Sequence, residues 1–425
     1  MLEILPFRGI VYNREIVGDL SSVVAPPYDC IPDHLREDLY RRSPWNVARL
    51  ISGHPAFHER ETAETFYTAA ARYWQEWLAT NVLIQDETPA LYLCREAYRS
   101  YVGEEKVRIG LISLVRLEEF DSGVIRPHEH TLAGPKADRL KLLSACRANF
   151  SQIFGVYADT TYRIEKLIDP LFSEEPDMRV IDDEENPREV WRITDSHVIQ
   201  EITGSMTEQR VVIADGHHRY ETALLFRRQM REHLPTPESA PFDYTMIYLT
   251  NIYSSGLQIA PIYRVISKLP NFEKNRWIDQ IHQRFTVERS STDLSGFLRH
   301  IEEETDGVRR FGAYLGRGEF LIFSEARRDE TLDVSVLHKA VIEESLGIDQ
   351  EAVVSQRYLT YTPDPKEAVH IVDEDAGQIA FFLKPVRPEE ILRITDAGAI
   401  MPQKSTYFYP KLMTGLVMNR LEYVE

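Results

Sequence analysis

The sequence predicts an α+β protein with a mixed sheet. Three observations carry this: short apolar runs of strand length and amphipathic stretches of helical length both occur, they alternate without a regular βαβ rhythm, and no glycine fingerprint of a dinucleotide-binding unit is present. At 425 residues and 43% hydrophobic, the chain has the material for one large core or two to three smaller ones.

Residues 3–31 read as extended segments that end in the rigid Pro26-Pro27 turn, and Pro32-Asp33-His34-Leu35 opens a short helix. The clearest helix spans about 58–80, where Ala63, Phe66, Tyr67, Ala70, Trp74, Trp77 and Leu78 recur at helical spacing and mark a core face. Strands are expected at 90–98 and 106–117, then a loop at 126–131 and a helix from Pro135 through Leu140, Leu142 and Leu143. Ile153-Phe154-Gly155-Val156-Tyr157 is another strand. The run Asp182-Asp183-Glu184-Glu185 with Pro187 reads as a solvated loop. Asp195 caps a helix at 196–204, a strand follows at 210–214, and a helix runs to about 232 before Leu234-Pro235-Thr236-Pro237 stops it. Beyond it come a buried strand at 244–249, helices at 273–285 and 293–304, paired strands at 309–315 and 319–323, and a helix at 332–347. Three regions are expected: 1–160, 161–255 and 256–425, with the tail 401–411 returning to the site of the others.

Val211, Val212 and Ile213 feed Asp215-Gly216-His217-His218-Arg219, after which Tyr220, Ala223, Leu224 and Leu225 begin a helical pattern. A strand, a tight turn and a helix therefore present two imidazoles and a guanidinium at a helix N-terminus. Free amides and the positive end of the helix dipole favour an anion there, and the fork of Arg219 suits phosphate oxygens. The expected ligand is a phosphate. The plainer reading is that Asp215 caps the helix, Arg219 pairs with a surface acid and the histidines pack. Metal binding by His217 and His218 is disfavoured, because adjacent residues diverge on a helix.

Arg126, His128, Glu129 and His130 offer a cation, two tunable imidazoles and a base on a loop stiffened by Pro127, against the plainer reading of an exposed polar loop. Lys136, Arg139 and Lys141 either extend a phosphate-binding surface or solvate a helix. Pro26-Pro27-Tyr28-Asp29 fixes a carboxylate that can take Mg²⁺ or a substrate amine, or that backbone amides satisfy. Lys404, Ser405 and Thr406 add an ammonium and two hydroxyls suited to a phosphoryl group, with Lys411 beyond and no acidic residue between 403 and 411. Tyr407, Phe408 and Tyr409 anchor that tail.

The Asp215 motif resembles the ParB/sulfiredoxin superfamily, whose members hold nucleotide phosphates at a strand-to-helix turn with a Gly-x-His-Arg or Gly-Glu-Arg-Arg element. The Asp-Gly-His-His-Arg form looks like the branch of free serine kinases, over about residues 190–235 on a motif-level reading. His217 stands where sulfiredoxins place their catalytic cysteine, so sulfinic acid reduction is not expected. A longer resemblance rests on four blocks in order: Ala25-Pro26-Pro27-Tyr28-Asp29, Arg126-Pro127-His128-Glu129-His130-Thr131, the Asp215 motif, and Met401 through Lys411. These look like a bacterial and archaeal family catalogued as a domain of unknown function.

The resemblance implies a nucleotide-dependent phosphotransferase acting on a small hydroxy amino acid or its phosphate, serine or phosphoserine first, in the kinase or the phosphatase direction. ATP or ADP would be co-substrate and Mg²⁺ the metal, held by Asp29 or Glu129. Asp215, Gly216, His217, His218, Arg219, Arg126, His130, Ser405 and Thr406 would bind phosphate. Glu129, Asp29, His128 and Lys404 would serve catalysis. The alternative is a nucleotide-binding regulatory module without turnover. A net charge of −18 argues against nucleic acid as a partner. No apolar run reaches membrane-spanning length, and three scattered cysteines, Cys30, Cys94 and Cys146, suggest no disulfide framework. A cytoplasmic protein is expected, its oligomeric state open.

Overall fold

The computed structural model describes residues 1–53, 65–101, 103–129, 133–233, 239–303, 307–374 and 376–422. The protein is a mixed α+β structure in two compact units, Met1–Gln258 with Pro410–Glu425, and Ile259–Tyr409.

The first unit is built on a nine-stranded sheet: β1 (Ile4–Leu5), β2 (Leu91–Arg99), β3 (Glu105–Arg116), β4 (Ile125–Pro127), β5 (Ile153–Tyr157), β6 (Met178–Ile181), β7 (Pro187–Ile193), β8 (Val211–Asp215) and β9 (Tyr244–Asn251). Their spatial order is β4-β8-β5-β9-β3-β2-β7-β6, with β1 beside β3, so strands from before and after residue 160 pair in one sheet. Most pairs are antiparallel. Two are parallel, β8 with β4 and β9 with β5. β8 is apolar along Val211–Ala214 and buried, as a strand covered on both faces must be. Five helices matter here: α1 (Asp33–Arg42), α2 (Phe66–Ala79), α3 (Ala133–Cys146), α4 (Ser196–Met206) and α5 (His217–His233).

Helix α2 buries Ala69, Ala70, Trp74 and Trp77, the face its spacing marks, and its cap is the Thr65 hydroxyl accepting from the Thr68 amide. Ala63 and the rest of 54–64 lie outside the described residues. Asp195 caps α4 through the amides of His197 and Val198. The acidic run is a turn between paired strands, and it is solvated only at Asp183–Glu185. Asp182 instead meets the buried Arg188 guanidinium at 2.6 Å, and Pro187 opens a strand. The expectation of a plain loop fails there because a buried guanidinium requires a counter-charge.

The core of this unit joins Leu91, Leu93, Ile125, Ile153, Ile202, Val211, Ile213, Tyr220, Leu224 and Ile247, so both ends of the β8-to-α5 turn are anchored in packed side chains.

The second unit has a six-stranded sheet: β10 (Tyr263–Ile266), β11 (Thr286–Ser290), β12 (Val308–Tyr314), β13 (Phe320–Ala326), β14 (Leu359–Thr362) and β15 (Ile379–Phe382), ordered β11-β13-β12-β15-β10-β14. Helices α6 (Lys274–His282) and α7 (Leu294–Glu302) lie within the stretches expected, while 332–347 splits into a short helical turn and a π-helix over Leu337–Ser345. Phe408 and Tyr409 are buried, as anchors should be.

Candidate functional site in the first unit

The site is made by two parallel neighbours. β4 and β8 run side by side, with Val212 opposite Arg126 and Ile213 opposite Pro127, so the residues that follow each strand leave the sheet at the same edge. Arg126–Glu129 and Asp215–Arg219 thus meet although 89 residues separate them in the chain. A bulge in β8 between Ile213 and Asp215 turns the last strand residue. Gly216 then takes φ +88°, and α5 begins at His217. A Cβ at Gly216 would lie 2.9 Å from the Arg219 guanidinium.

Asp215 is a hub of charge. One carboxylate oxygen accepts from Arg219 Nη2 at 2.7 Å and the other from Lys411 Nζ at 2.8 Å. Against the penalty of burial, the ammonium and the guanidinium hold this carboxyl well below the usual carboxylate range. Lys411 is raised by the same partner although burial opposes its charge. The other arm of Arg219 donates to the Gln152 carbonyl. Lys411 was legible only as one more cation in a segment without acids; its partner lies 196 residues away.

The two histidines of the turn diverge. His217 is buried, with its ring centroid 4.7 Å from that of His128, which is also buried. The His128 amide donates to His217 Nε2 at 3.4 Å, and His128 Nδ1 donates to the Ile213 carbonyl at 2.5 Å. With Nε2 accepting, the His217 proton sits on Nδ1, which faces Glu129 Oε1 at 3.7 Å. Burial first, and His128 next, push His217 well below the ordinary histidine value, so the His217 ring is held neutral beside His128. His218 is half-buried on the other side. Burial lowers it too, and the carboxylates of Glu221, Glu129 and Asp29 pull the other way.

Asp29 therefore reaches this region as well. Its neighbour Cys30 is pushed up to about 12 by burial and by Asp29, which leaves it a protonated thiol. The Tyr28 ring carries the Arg139 guanidinium 4.0 Å from its centroid, and Arg139 also binds Asp138 and the Ile51 carbonyl. Arg139 is thus packed rather than solvated, whereas Lys136 pairs with Glu221 at 2.6 Å. Arg126 donates to the Gly123 carbonyl at 2.9 Å.

Beside Arg219 lies a concave pocket with Tyr28, Arg139 and Thr222 at its polar positions and Leu142, Leu143 and Ile153 among its walls. His218 is not among its lining residues. Thr222 Oγ1 is buried there without a hydrogen-bond partner among the described residues.

His130 and Thr131 lie outside the described residues. Lys404, Ser405 and Thr406 belong to the second unit. Among the described residues no three His, Cys, Asp or Glu side chains gather as a metal-binding set, and no helix is long and apolar enough to cross a membrane.

The chain belongs to the family described as protein of unknown function (DUF1015), whose model matches residues 4–342 and so includes three of the four sequence blocks but not Met401–Lys411. No curated protein matches it. Solved structures with partial similarity include a conserved hypothetical protein from Pyrococcus furiosus, 11% identical with a TM-score of 0.35 over 70% of this chain and 90% of that one. A free serine kinase in complex with AMP is 12% identical, with a TM-score of 0.35 over 70% of this chain and 86% of that one. SbnI with a C-terminal truncation, from Staphylococcus aureus, is 11% identical with a TM-score of 0.34 over 71% and 85%.

Proposed function

We propose that this member of the DUF1015 family is a nucleotide-dependent phosphotransferase acting on a small hydroxy amino acid or its phosphate. The observation that carries the reading is the convergence, through the parallel β4 and β8, of a histidine-carboxylate loop with a glycine-turned helix N-terminus. The amides that open α5, with Arg219 and His218, bind the nucleotide phosphates, and Arg126 adds to that surface. Asp215 acts on its two cations rather than on a phosphate, whose charge it would repel; it fixes Arg219 from one side while Lys411 balances the other.

Glu129 is the base. In the kinase direction the bond between the terminal phosphorus and its bridging oxygen breaks, the acceptor hydroxyl oxygen takes the phosphorus, and the hydroxyl proton passes to the Glu129 carboxylate. The nucleoside diphosphate leaves. In reverse, the phosphate of a phosphoserine returns to ADP. The His128–His217 pair orients Glu129 through His217 Nδ1. Mg²⁺, where bound, would be held by the Asp29 carboxylate with phosphate oxygens and water, and would neutralise phosphate charge, which leaves Glu129 free as the base. Lys404 keeps the phosphoryl-neutralising role its chemistry suggests, whereas the buried Ser405 hydroxyl expected to share it donates to the Pro402 carbonyl instead. Serine and phosphoserine come first because the Asp215 motif resembles that of free serine kinases.

The test is purified protein with ATP, ADP or no nucleotide, against a panel of amino acids and phospho-amino acids, read by mass spectrometry. A nucleotide-dependent phosphorylated or dephosphorylated product is expected. Nucleotide binding with no product from any member of the panel would replace this reading with that of a regulatory module.

A further inference from the structure

Among the described residues three arginines are fully buried, and one of these has no carboxylate among its described partners. In the first unit Arg108 and Arg188 share Glu96, at 2.6 and 3.1 Å. In the second unit Arg264, in β10 and 0% exposed, has only neutral acceptors. Its Nε donates to His338 Nε2 at 3.1 Å, one terminal nitrogen to the Ile262 carbonyl, and the other to the Lys404 carbonyl at 2.8 Å. The Tyr361 ring lies with its centroid 5.5 Å from the guanidinium carbon, and burial pulls the guanidinium down to about 10. His338, at the start of the π-helix, is pushed to about 3 by burial and by Arg264, so it stays a neutral acceptor.

The residue that Arg264 holds is itself unusual. Lys404 takes φ +58°, a left-handed conformation that costs a residue with a Cβ, and its side chain is exposed with no ion pair among the described residues. The buried Ser405 hydroxyl closes the turn by donating to the Pro402 carbonyl at 2.5 Å. A buried charge without a partner is expensive, and a strained residue persists only where its surroundings fix it. Both costs serve one four-residue turn, Pro402–Ser405, in a chain of net charge −18.

We propose that this turn is a phosphoryl-binding loop of the second unit, with Lys404 as the contact and Arg264 as the buried positioning residue. Lys404 projects its ammonium to solvent because Arg264 captures its carbonyl. The missing counter-charge is the ligand's. Two uncompensated cations suit a dianionic phosphoryl group better than a singly charged carboxylate. The inference deepens the role given to Lys404 above and rests on it.

The test is titration calorimetry of the full chain with inorganic pyrophosphate, with acetate as the control anion. Lys404→Gln and Arg264→Met are each expected to weaken pyrophosphate binding about tenfold, about 1.4 kcal/mol at 25 °C. The double variant should be no weaker than Arg264→Met alone, because the two act as one device. Arg264→Lys, which keeps the charge but cannot span three acceptors, should fall between. Multiplicative effects, or wild-type binding by folded Arg264→Met, would overturn the proposal. If Arg264→Met does not fold, Arg264→Lys decides: weakened binding supports the loop and full binding overturns it. Acetate binding as tightly as pyrophosphate also overturns it. A chain that shows this pattern but transfers no phosphate loses the phosphotransferase reading and keeps this one.

Discussion

Replacing Lys411 by methionine isolates the charge hub from the rest of the site. Methionine keeps most of the apolar stem and removes the ammonium that meets Asp215 at 2.8 Å. Removing one partner from a buried ion pair costs about 3–5 kcal/mol, because the other charge stays behind. Here the two side chains retain 18% and 20% exposure, and Arg219 still meets the second carboxylate oxygen at 2.7 Å. The expected loss is therefore about 2–3 kcal/mol, roughly 3–6 °C in Tm for a unit of this size. The pH dependence follows from the direction of each shift. Asp215 is depressed, so its contribution is present above an unfolded value of about 3.9 and is lost as pH falls through the folded value. Lys411 is raised, so its contribution is present below about 10.4 and is lost as pH rises through its folded value. Thermal unfolding followed by circular dichroism should show the full difference between wild type and Lys411→Met from about pH 5 to 9, shrinking below about pH 4. An unchanged Tm, or a difference that persists undiminished in acid, would refute the hub.

Gly216→Ala places a Cβ at φ +88° and 2.9 Å from the Arg219 guanidinium, so a loss of about 1–2 kcal/mol with weakened phosphate binding is expected in denaturation and calorimetry; full binding would mean that the turn does not position Arg219. His217 is held neutral in the folded protein but protonates near 6.5 when unfolded, so wild-type stability should decline as pH drops below about 6.5, and His217→Gln should lessen that slope in acid denaturation curves. Arg219→Met should depress nucleotide binding and turnover together, whereas Glu129→Gln should depress turnover far more than binding; equal effects in calorimetry and product assays would remove Glu129 from the chemistry.

Local chemistry was readable wherever a short stretch decides its own structure. The aromatic spacing of Phe66–Ala79 marks the buried face of α2, Asp195 announces its cap, and the apolar run before Asp215-Gly216 announces a strand, a left-handed turn and a helix. Each depends on side chains within about one helical turn or on one residue's allowed backbone angles. The same locality explains why Asp182 and Pro187 read as part of a solvated loop. Asp182–Glu185 is acidic and polar as loops are, yet what makes a hairpin there is the pairing of Val190 with Met178 on one side and with Cys94 on the other.

The sequence by itself determined that the protein mixes helices and strands and that a strand, a glycine turn and a helix N-terminus meet at residues 211–219. It also determined which residue types the 126–129 loop could offer. Tertiary structure alone decided what those residues face. Strand register brings Glu129 to His217, and Lys411 reaches Asp215 across 196 residues. Arg264 holds the carbonyl of a lysine 140 positions away. No periodicity encodes such partners, because the pairing of buried charges is settled by which backbone segments the whole fold brings side by side, and the low dielectric there enforces a choice that the unfolded chain never has to make.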